Sequence, residues 1–207
     1  MIVFLHTTSK LLERFEDLVR TYDSDIEIRH FVHEQLLKTA SETGKADITA
    51  FETAVEKINE LQPTTLICTC STYGDACDNR TDIERIDKPV VAHLVNDYQK
   101  IGVVYTAKST KEATENLIRN IAANAKKDIQ IELIDCSEFW PYFEAGDHPS
   151  YHQSIAKKIM EVTDQVDVFF LAQASMEAAK SYLTNFEKKV YSSPEFGVKT
   201  YLTRFMH

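Results

Sequence analysis

The sequence predicts an α/β protein of two pseudo-symmetric lobes, each built on a parallel sheet, with a cleft between them. Three observations carry that reading. The candidate strands are short runs apolar on both faces, "MIVFLH" and "VDVFFL" among them, as in parallel sheets covered by helices. Each run is followed by a hydroxyl-bearing turn and an amphipathic stretch, the alternation that builds α/β layers. The same order returns later in the chain: "FLHTTSKLLERFEDLV" can be set against "VVYTAKSTKEATENLI", and "LICTCSTYGDA" against "FLAQASMEAA". At 207 residues the chain can bury a sizeable core. The expected division is a first lobe over residues 1–97, a second over 98–189, and a segment, 190–207, returning to the first.

Taken in order, "MIVFLH" is a buried strand. Thr7, Thr8 and Ser9 are candidate N-caps for a helix striped by Leu11, Leu12, Phe15, Leu18 and Val19. "IEIRHFV" alternates, placing Ile26, Ile28, His30 and Val32 on one face, with His30 a satisfied core or edge histidine. Two helices follow, "HEQLLKTASET" and "ITAFETAVEKINEL", the second striped by Phe51, Val55, Ile58 and Leu61. "TTLICTC" is the third strand and "KPVVAHLVNDYQ" a helix leading out of the first lobe. The second lobe opens on the strand "IGVVYTA", after which Ser109 and Glu112 read as a capping box for "STKEATENLIRNIAANAKK". "IQIELIDC" is a strand, "PSYHQSIAKKIMEVTDQ" a helix, "VDVFFLAQAS" a strand feeding the helix "MEAAKSYLTN", and "KKVYSS" the last strand before Pro194.

A formal net charge of −9 argues against nucleic acid and against anionic membrane surfaces, both of which call for a basic patch. A small anion remains compatible, because a few backbone N–H groups reverse the field locally. The apolar runs fall well short of a membrane span, and "MIVFLHTTSK" has neither a basic start nor a cleavage site, so a cytoplasmic protein is expected. Cys68, Cys70 and Cys77 crowd one region and Cys136 stands apart. No fourth ligand at a usual spacing accompanies them, and His148 and His152 make a poor zinc pair, so no metal is expected. His152 reads as an exposed helix residue.

Ligands of parallel sheets bind beyond the carboxyl ends of the strands, and here those ends carry Thr7, Cys70, Thr106 and Gln173. A thiol at a strand-to-helix turn is expected to feel the helix N-terminus, which lowers its pKa and makes thiolate available as nucleophile or base. The alternative is a buried, inert cysteine, which suits Cys68 better than Cys70. Hydroxyls and amides of Ser71, Thr72, Thr106, Ser109 and Thr110 can hold a carboxylate without an arginine, and capping is their ordinary role. Arg80, Arg85, Lys108 and Lys111 lie near these motifs and read as solvated charges.

"CTCSTYG" after a strand, "YTAKST" at the start of the second half, "DVFFLAQASM" and then "SSP" resemble the aspartate/glutamate racemase superfamily, which includes hydantoin racemases, maleate isomerase and arylmalonate decarboxylase. The resemblance runs from "FLHTTSKLL" to "VYSSP". It implies two pseudo-symmetric lobes with the active site between them, no pyridoxal cofactor, and one cysteine from each lobe on opposite faces of the substrate carbon. The first of those cysteines falls on Cys70, and the carboxylate-binding positions fall on Ser71, Thr72, Thr106 and Thr110. The second cysteine is absent: Ala172-Gln173-Ala174-Ser175 stands in its place and no cysteine follows Val162. The histidine that commonly comes next is also absent, with Ser175 nearest, and His6-Thr7 replaces the Asp-Ser of glutamate racemases.

The expectation is therefore an enzyme with one catalytic thiol, Cys70, and with Thr7, Ser71, Thr72, Thr106, Ser109, Thr110, Gln173 and Ser175 binding substrate. It needs no cofactor and performs proton-transfer or C–C/C–N chemistry alpha to the carboxylate of a small acid or amino-acid derivative, as an isomerase, racemase, lyase or decarboxylase. In the racemase version His6, Ser175 or a water supplies the second proton. The alternative is an inactive protein that binds a small carboxylate on the same scaffold. A homodimer is implied by the resemblance alone.

Overall fold

The structure, a computed structural model, describes residues 1–204; residues 205–207, the end of the expected C-terminal segment, lie outside the described residues. The chain divides into two compact units, one comprising Met1–Pro89 with the segment from Pro194 onward, the other Val90–Ser193.

In the first unit the order is β1 (Ile2–His6), α1 (Leu12–Tyr22), β2 (Ile28–Val32), α2 (Glu34–Thr43), α3 (Ile48–Asn59), β3 (Thr65–Cys68), α4 (Gly74–Asp78) and β4 (Glu84–Arg85). The strands lie in the order β2-β1-β3-β4, all parallel. Every residue of β1 is buried, as its unbroken apolar run requires of a strand with a neighbour on each side and helices over each face. β2 is an edge strand and is only half-buried, so its alternation survives in the sequence. The stripe of α3 buries Phe51, Val55 and Ile58. Leu61, expected in that stripe, lies past the helix end and is exposed.

From α5 (Lys88–Asp97), which crosses the unit boundary, the chain enters β5 (Lys100–Tyr105), α6 (Lys108–Ala125), β6 (Gln130–Asp135), α7 (Trp140–Glu144), α8 (His148–Glu161), β7 (Val168–Leu171) and β8 (Val190–Ser192). This sheet is again all parallel, in the order β6-β5-β7-β8. The capping box does not form: α6 begins at Lys108 with Ala107 as its cap residue, so Ser109 already lies inside the first turn. Between β7 and β8 the expected α-helix is a 3-10 helix, Ala174–Tyr182. The division of units falls at Pro89/Val90 and Ser193/Pro194 rather than at 97/98 and 189/190, because β8 pairs with β7 in the second sheet.

The last helix, α9 (Ser193–Leu202), returns to the first unit. Gly197 lets it lie directly on the Ile86 carbonyl, where any Cβ would overlap. The Tyr201 hydroxyl donates to the Arg85 carbonyl at 2.8 Å, and Arg204 pairs with Glu84 at 2.9 Å.

The two sheets share strand order, and their central registers correspond. Leu5 pairs with Cys68 across β1 and β3, and Val104 with Leu171 across β5 and β7. In each unit the ladder is extended by the same bond, from Thr69 N–H to the Leu5 carbonyl and from Ala172 N–H to the Val104 carbonyl. Two places beyond those pairs stand Thr7 and Cys70 in one unit and Thr106 and Gln173 in the other. Cys70 and Gln173 are thus equivalent positions of an internal repeat.

Candidate functional site

At the end of β3 the chain turns through Cys70 in extended geometry into a 3-10 turn, Ser71–Tyr73, and then into α4. Ser71 and Thr72 are buried, and Cys70 is half-buried. The Thr7 hydroxyl and the N–H and hydroxyl of Thr72 neighbour the Cys70 sulfur and act to lower its pKa. These donors favour thiolate, yet burial and the neighbouring Cys68 prevail and push the thiol up to about 11. The expected lowering does not occur. One 3-10 turn and a five-residue helix carry too few aligned peptides to offset the loss of water around the sulfur. Cys70 is a thiol, not a thiolate, at neutral pH.

The other two cysteines of the region lie behind it. Cys68 S–H donates to the Cys70 carbonyl at 3.6 Å, and Cys77 is hydrogen-bonded to Cys68 in turn. Both are buried, and both pack in the apolar cluster of Val3, Leu5, Phe51 and Leu66. Below the turn lies a charged group that sequence reasoning took as solvated. Arg85 is 2% exposed; its Nε and Nη2 grip Asp87 at 2.7 and 2.9 Å, and Nη1 holds Asp78 at 2.6 Å. Each of the three nitrogens of the fork is held by a carboxylate, which is what allows an arginine to be buried. Gly74 faces the guanidinium so closely that a Cβ would overlap it.

The equivalent place in the second unit holds an amide. Gln173 Oε1 accepts from Thr106 N–H at 2.7 Å, from the Thr106 hydroxyl at 3.1 Å and from Ala107 N–H at 3.1 Å. Two backbone donors fix which end of the amide faces them. Behind Thr106 stands Tyr151, 2.9 Å from Thr106 Oγ1 and 3.2 Å from Ser175 Oγ. Because Thr106 gives its hydrogen to Gln173, the tyrosine donates to Thr106 and the serine to the tyrosine. The hydroxyl hydrogens thus run in one direction, from Ser175 to Tyr151 to Thr106 to Gln173 Oε1. His152 Nε2 meets the Ser175 carbonyl at 2.9 Å, so this histidine is half-buried at the site rather than exposed; burial lowers its pKa. Thr110 is buried in the first turn of α6, where its N–H bonds the Ala107 carbonyl, and Ser109 precedes it.

Tyr151 and His152 escaped sequence reasoning because Tyr151, Ile155 and Ile159 form one apolar stripe of α8, in which a buried tyrosine looks like any core residue. The likeness of "LICTCS" to "FLAQAS" sets Cys70 against Ala174; the strand pairing shifts that match by one residue, to Gln173.

Each unit therefore ends a central strand in the same device: three donors beside one acceptor atom, a sulfur in the first and an amide oxygen in the second. Among the described residues no group of three or more His, Cys, Asp or Glu side chains is arranged to hold a metal ion, and no helix is long and apolar enough to cross a membrane.

No protein-family model matches the chain and no curated protein does. Solved structures do. A glutamate racemase isoform from Bacillus anthracis superposes with a TM-score of 0.77 at 14% identity, over 100% of this chain and 82% of that one. Picrophilus torridus aspartate racemase gives 0.75 at 12% identity, over 99% and 93%. Allantoin racemase from Klebsiella pneumoniae gives 0.65 at 10% identity, over 99% and 86%. The likeness establishes the fold, which is that of the aspartate/glutamate racemase superfamily.

Proposed function

We propose that this protein is a cofactor-independent enzyme in which the Cys70 thiol delivers a proton to the carbon alpha to a carboxylate of a small acid or amino-acid derivative. The observation that carries this reading is the sulfur's surroundings: a thiol that burial holds up at about 11, beside Thr7 and Thr72 donors that favour its charged form. A raised pKa keeps the proton on sulfur until a strong carbon base appears. The three donors then stabilise the thiolate left behind, which is the charge that develops in the transition state.

In the simplest form a malonate-type substrate loses carbon dioxide, its carbon–carbon bond pair becomes an enolate, and the S–H proton passes to the α-carbon. Water then reprotonates the sulfur. Ser71, next to the thiol, is proposed to bind a substrate oxygen. With an amide where a second thiol would stand, proton transfer to one face of the carbon fits better than exchange between two faces.

The test is a panel of α-substituted malonates, α-amino acids and hydantoins incubated in deuterated water. The expected result is solvent deuterium at the α-carbon of the product, with the rate falling at least about a hundredfold in Cys70→Ala, the usual worth of a positioned acid. No turnover, with ligand affinity unchanged in Cys70→Ala, sinks the proposal and leaves a binding protein. One observation favours that second reading: the Thr106 and Ala107 donors are already filled by the chain's own Gln173.

A further inference from the structure

A line of hydrogen bonds behind the thiol turn takes no part in the chemistry above. Starting inside the first unit, Thr69 Oγ1 lies 2.9 Å from His6 Nδ1, His6 Nε2 lies 2.8 Å from His30 Nδ1, and His30 Nε2 lies 3.0 Å from Glu16 Oε2. Thr69 Oγ1 also lies 3.3 Å from the Leu5 carbonyl. Thr69 and His6 are buried, His30 keeps 9% of its side-chain surface, and Glu16 keeps 37%. The two imidazoles lie edge to edge and nearly coplanar, centroids 5.1 Å apart and planes 20° apart, with Phe4 beside His30 and Phe15 beside His6. The line thus runs from solvent at α1, across β2 and β1, to the residue before Cys70.

With His6 neutral, as its burial favours, counting hydrogens leaves two ways to satisfy it. Glu16 is a carboxylate, since burial, which works to raise its pKa, is outweighed by its hydrogen bonds with Arg20 and His30. A carboxylate accepts only, so His30 Nε2 must carry a hydrogen. If His30 is neutral, its Nδ1 is an acceptor. His6 Nε2 must then be the donor, His6 Nδ1 an acceptor, and Thr69 must turn its hydroxyl to His6. Add one proton, and His30 Nδ1 becomes a donor. His6 must then accept at Nε2 and hold its hydrogen on Nδ1, and Thr69, now receiving, turns its own hydroxyl to the Leu5 carbonyl. Both arrangements leave every atom paired.

We propose that Thr69, His6, His30 and Glu16 form a proton-coupled tautomer switch, in which one proton taken from hydronium by His30 reverses both hydrogen bonds that lie inward of it. The line carries three protons in the first state and four in the second: the added proton comes from a hydronium ion, which leaves as water, and on His6 one N–H bond breaks as the other forms. The charges facing His30 are limited to its neighbours. From β1 there is His6, and from α1 there is Glu16, itself held by Arg20 at 2.8 Å. On its own strand the adjacent Arg29 points to the opposite face, where it pairs with Glu27. His6 stays neutral in both states, in keeping with a pKa that burial and the charge of His30 lower to about 3. The switch stands apart from the proposed chemistry of Cys70 and is tested without it.

The experiment follows the imidazole nitrogens of the isotope-labelled full chain by long-range proton–nitrogen correlation between about pH 8 and pH 5, the range of a histidine. The expected result is that His30 passes from neutral to doubly protonated while His6 remains neutral and moves its hydrogen from Nε2 to Nδ1, at one shared midpoint. In Glu16→Gln, a surface change that removes the carboxylate, both midpoints move together to lower pH. A His6 that keeps one tautomer at the acid end overturns the proposal. So does a His6 that becomes doubly protonated, or one whose change stays in place when that of His30 moves.

Discussion

In each unit three donors stand beside one acceptor atom, and the kind of atom decides what those donors are worth. On Cys70 they act against burial and lose. Alkylation by iodoacetamide, which tracks thiolate, should then rise about tenfold per pH unit from neutral to about pH 10 without a plateau, as a thiol at about 11 requires. Thr7→Val removes one donor that favours thiolate, and should slow the reaction about threefold to tenfold throughout that range. A plateau below about pH 9 would mean that the sulfur is less desolvated than its surroundings imply. On Gln173 the same number of donors meets a neutral amide oxygen, a weaker acceptor than a carboxylate. Gln173→Glu keeps the shape and supplies the charge. The folded carboxyl should then ionise below its unfolded value of about 4.3, so its contribution is present in full above about pH 5 and is lost as pH falls through the folded value. Urea unfolding should show the variant gaining about 1–2 kcal/mol over the parent between about pH 3 and pH 7. A relative loss over that interval would show that burial, not the donors, governs the position.

Local pattern predicted most of the elements and few of their buried charges. The central strands β1, β3, β5 and β7 were legible because a strand covered on two faces is apolar without interruption, and their ends because hydroxyls, a thiol or an amide interrupt that run. β4 was not seen, since a two-residue strand of Glu84 and Arg85 has no apolar run to detect. Arg85 read as solvated because its burial depends on Asp78 and Asp87 closing around it in space. The expected cap at Ser109 failed because Thr106 and Ala107 give their N–H groups to Gln173, a residue 67 positions away. Gly74 belongs to the same kind of non-local constraint. Its backbone is ordinary helix, so alanine costs nothing in conformation, but the new methyl must displace a guanidinium held on three sides. Gly74→Ala should destabilise the protein by about 2–4 kcal/mol, the scale of disturbing a buried ion pair, measured by urea unfolding. It should also speed alkylation of Cys70 at fixed pH, because the turn that carries the sulfur loses its floor. A neutral effect on both would show that Arg85 re-packs freely.

Two cores, two sheets and one returning helix make the chain a molecule whose parts can be disturbed separately. The first unit is closed by residues from opposite ends of the sequence: α9 reaches it only after the whole second unit has been traced. Its seat is narrow. Gly197 lies on the Ile86 carbonyl with no room for a methyl, while Val198, Tyr201 and Leu202 are buried. Unlike the contact at Gly74, the obstacle is backbone, which cannot swing aside, so Gly197→Ala must lift the helix and strain the Tyr201 bond to Arg85. The expected cost is about 3 kcal/mol, comparable to an overpacked core, and it should fall on the first unit. Buried thiols report each unit by itself: Cys68 and Cys77 in the first, Cys136 in the second. Pulsed alkylation across a urea series, read by peptide mass, should show Cys68 and Cys77 becoming reactive at clearly lower urea in Gly197→Ala, with the Cys136 midpoint moving less. Coincident shifts of all three thiols would show instead that the two cores unfold as one cooperative body, and that the helix which closes the first also sets the stability of the second.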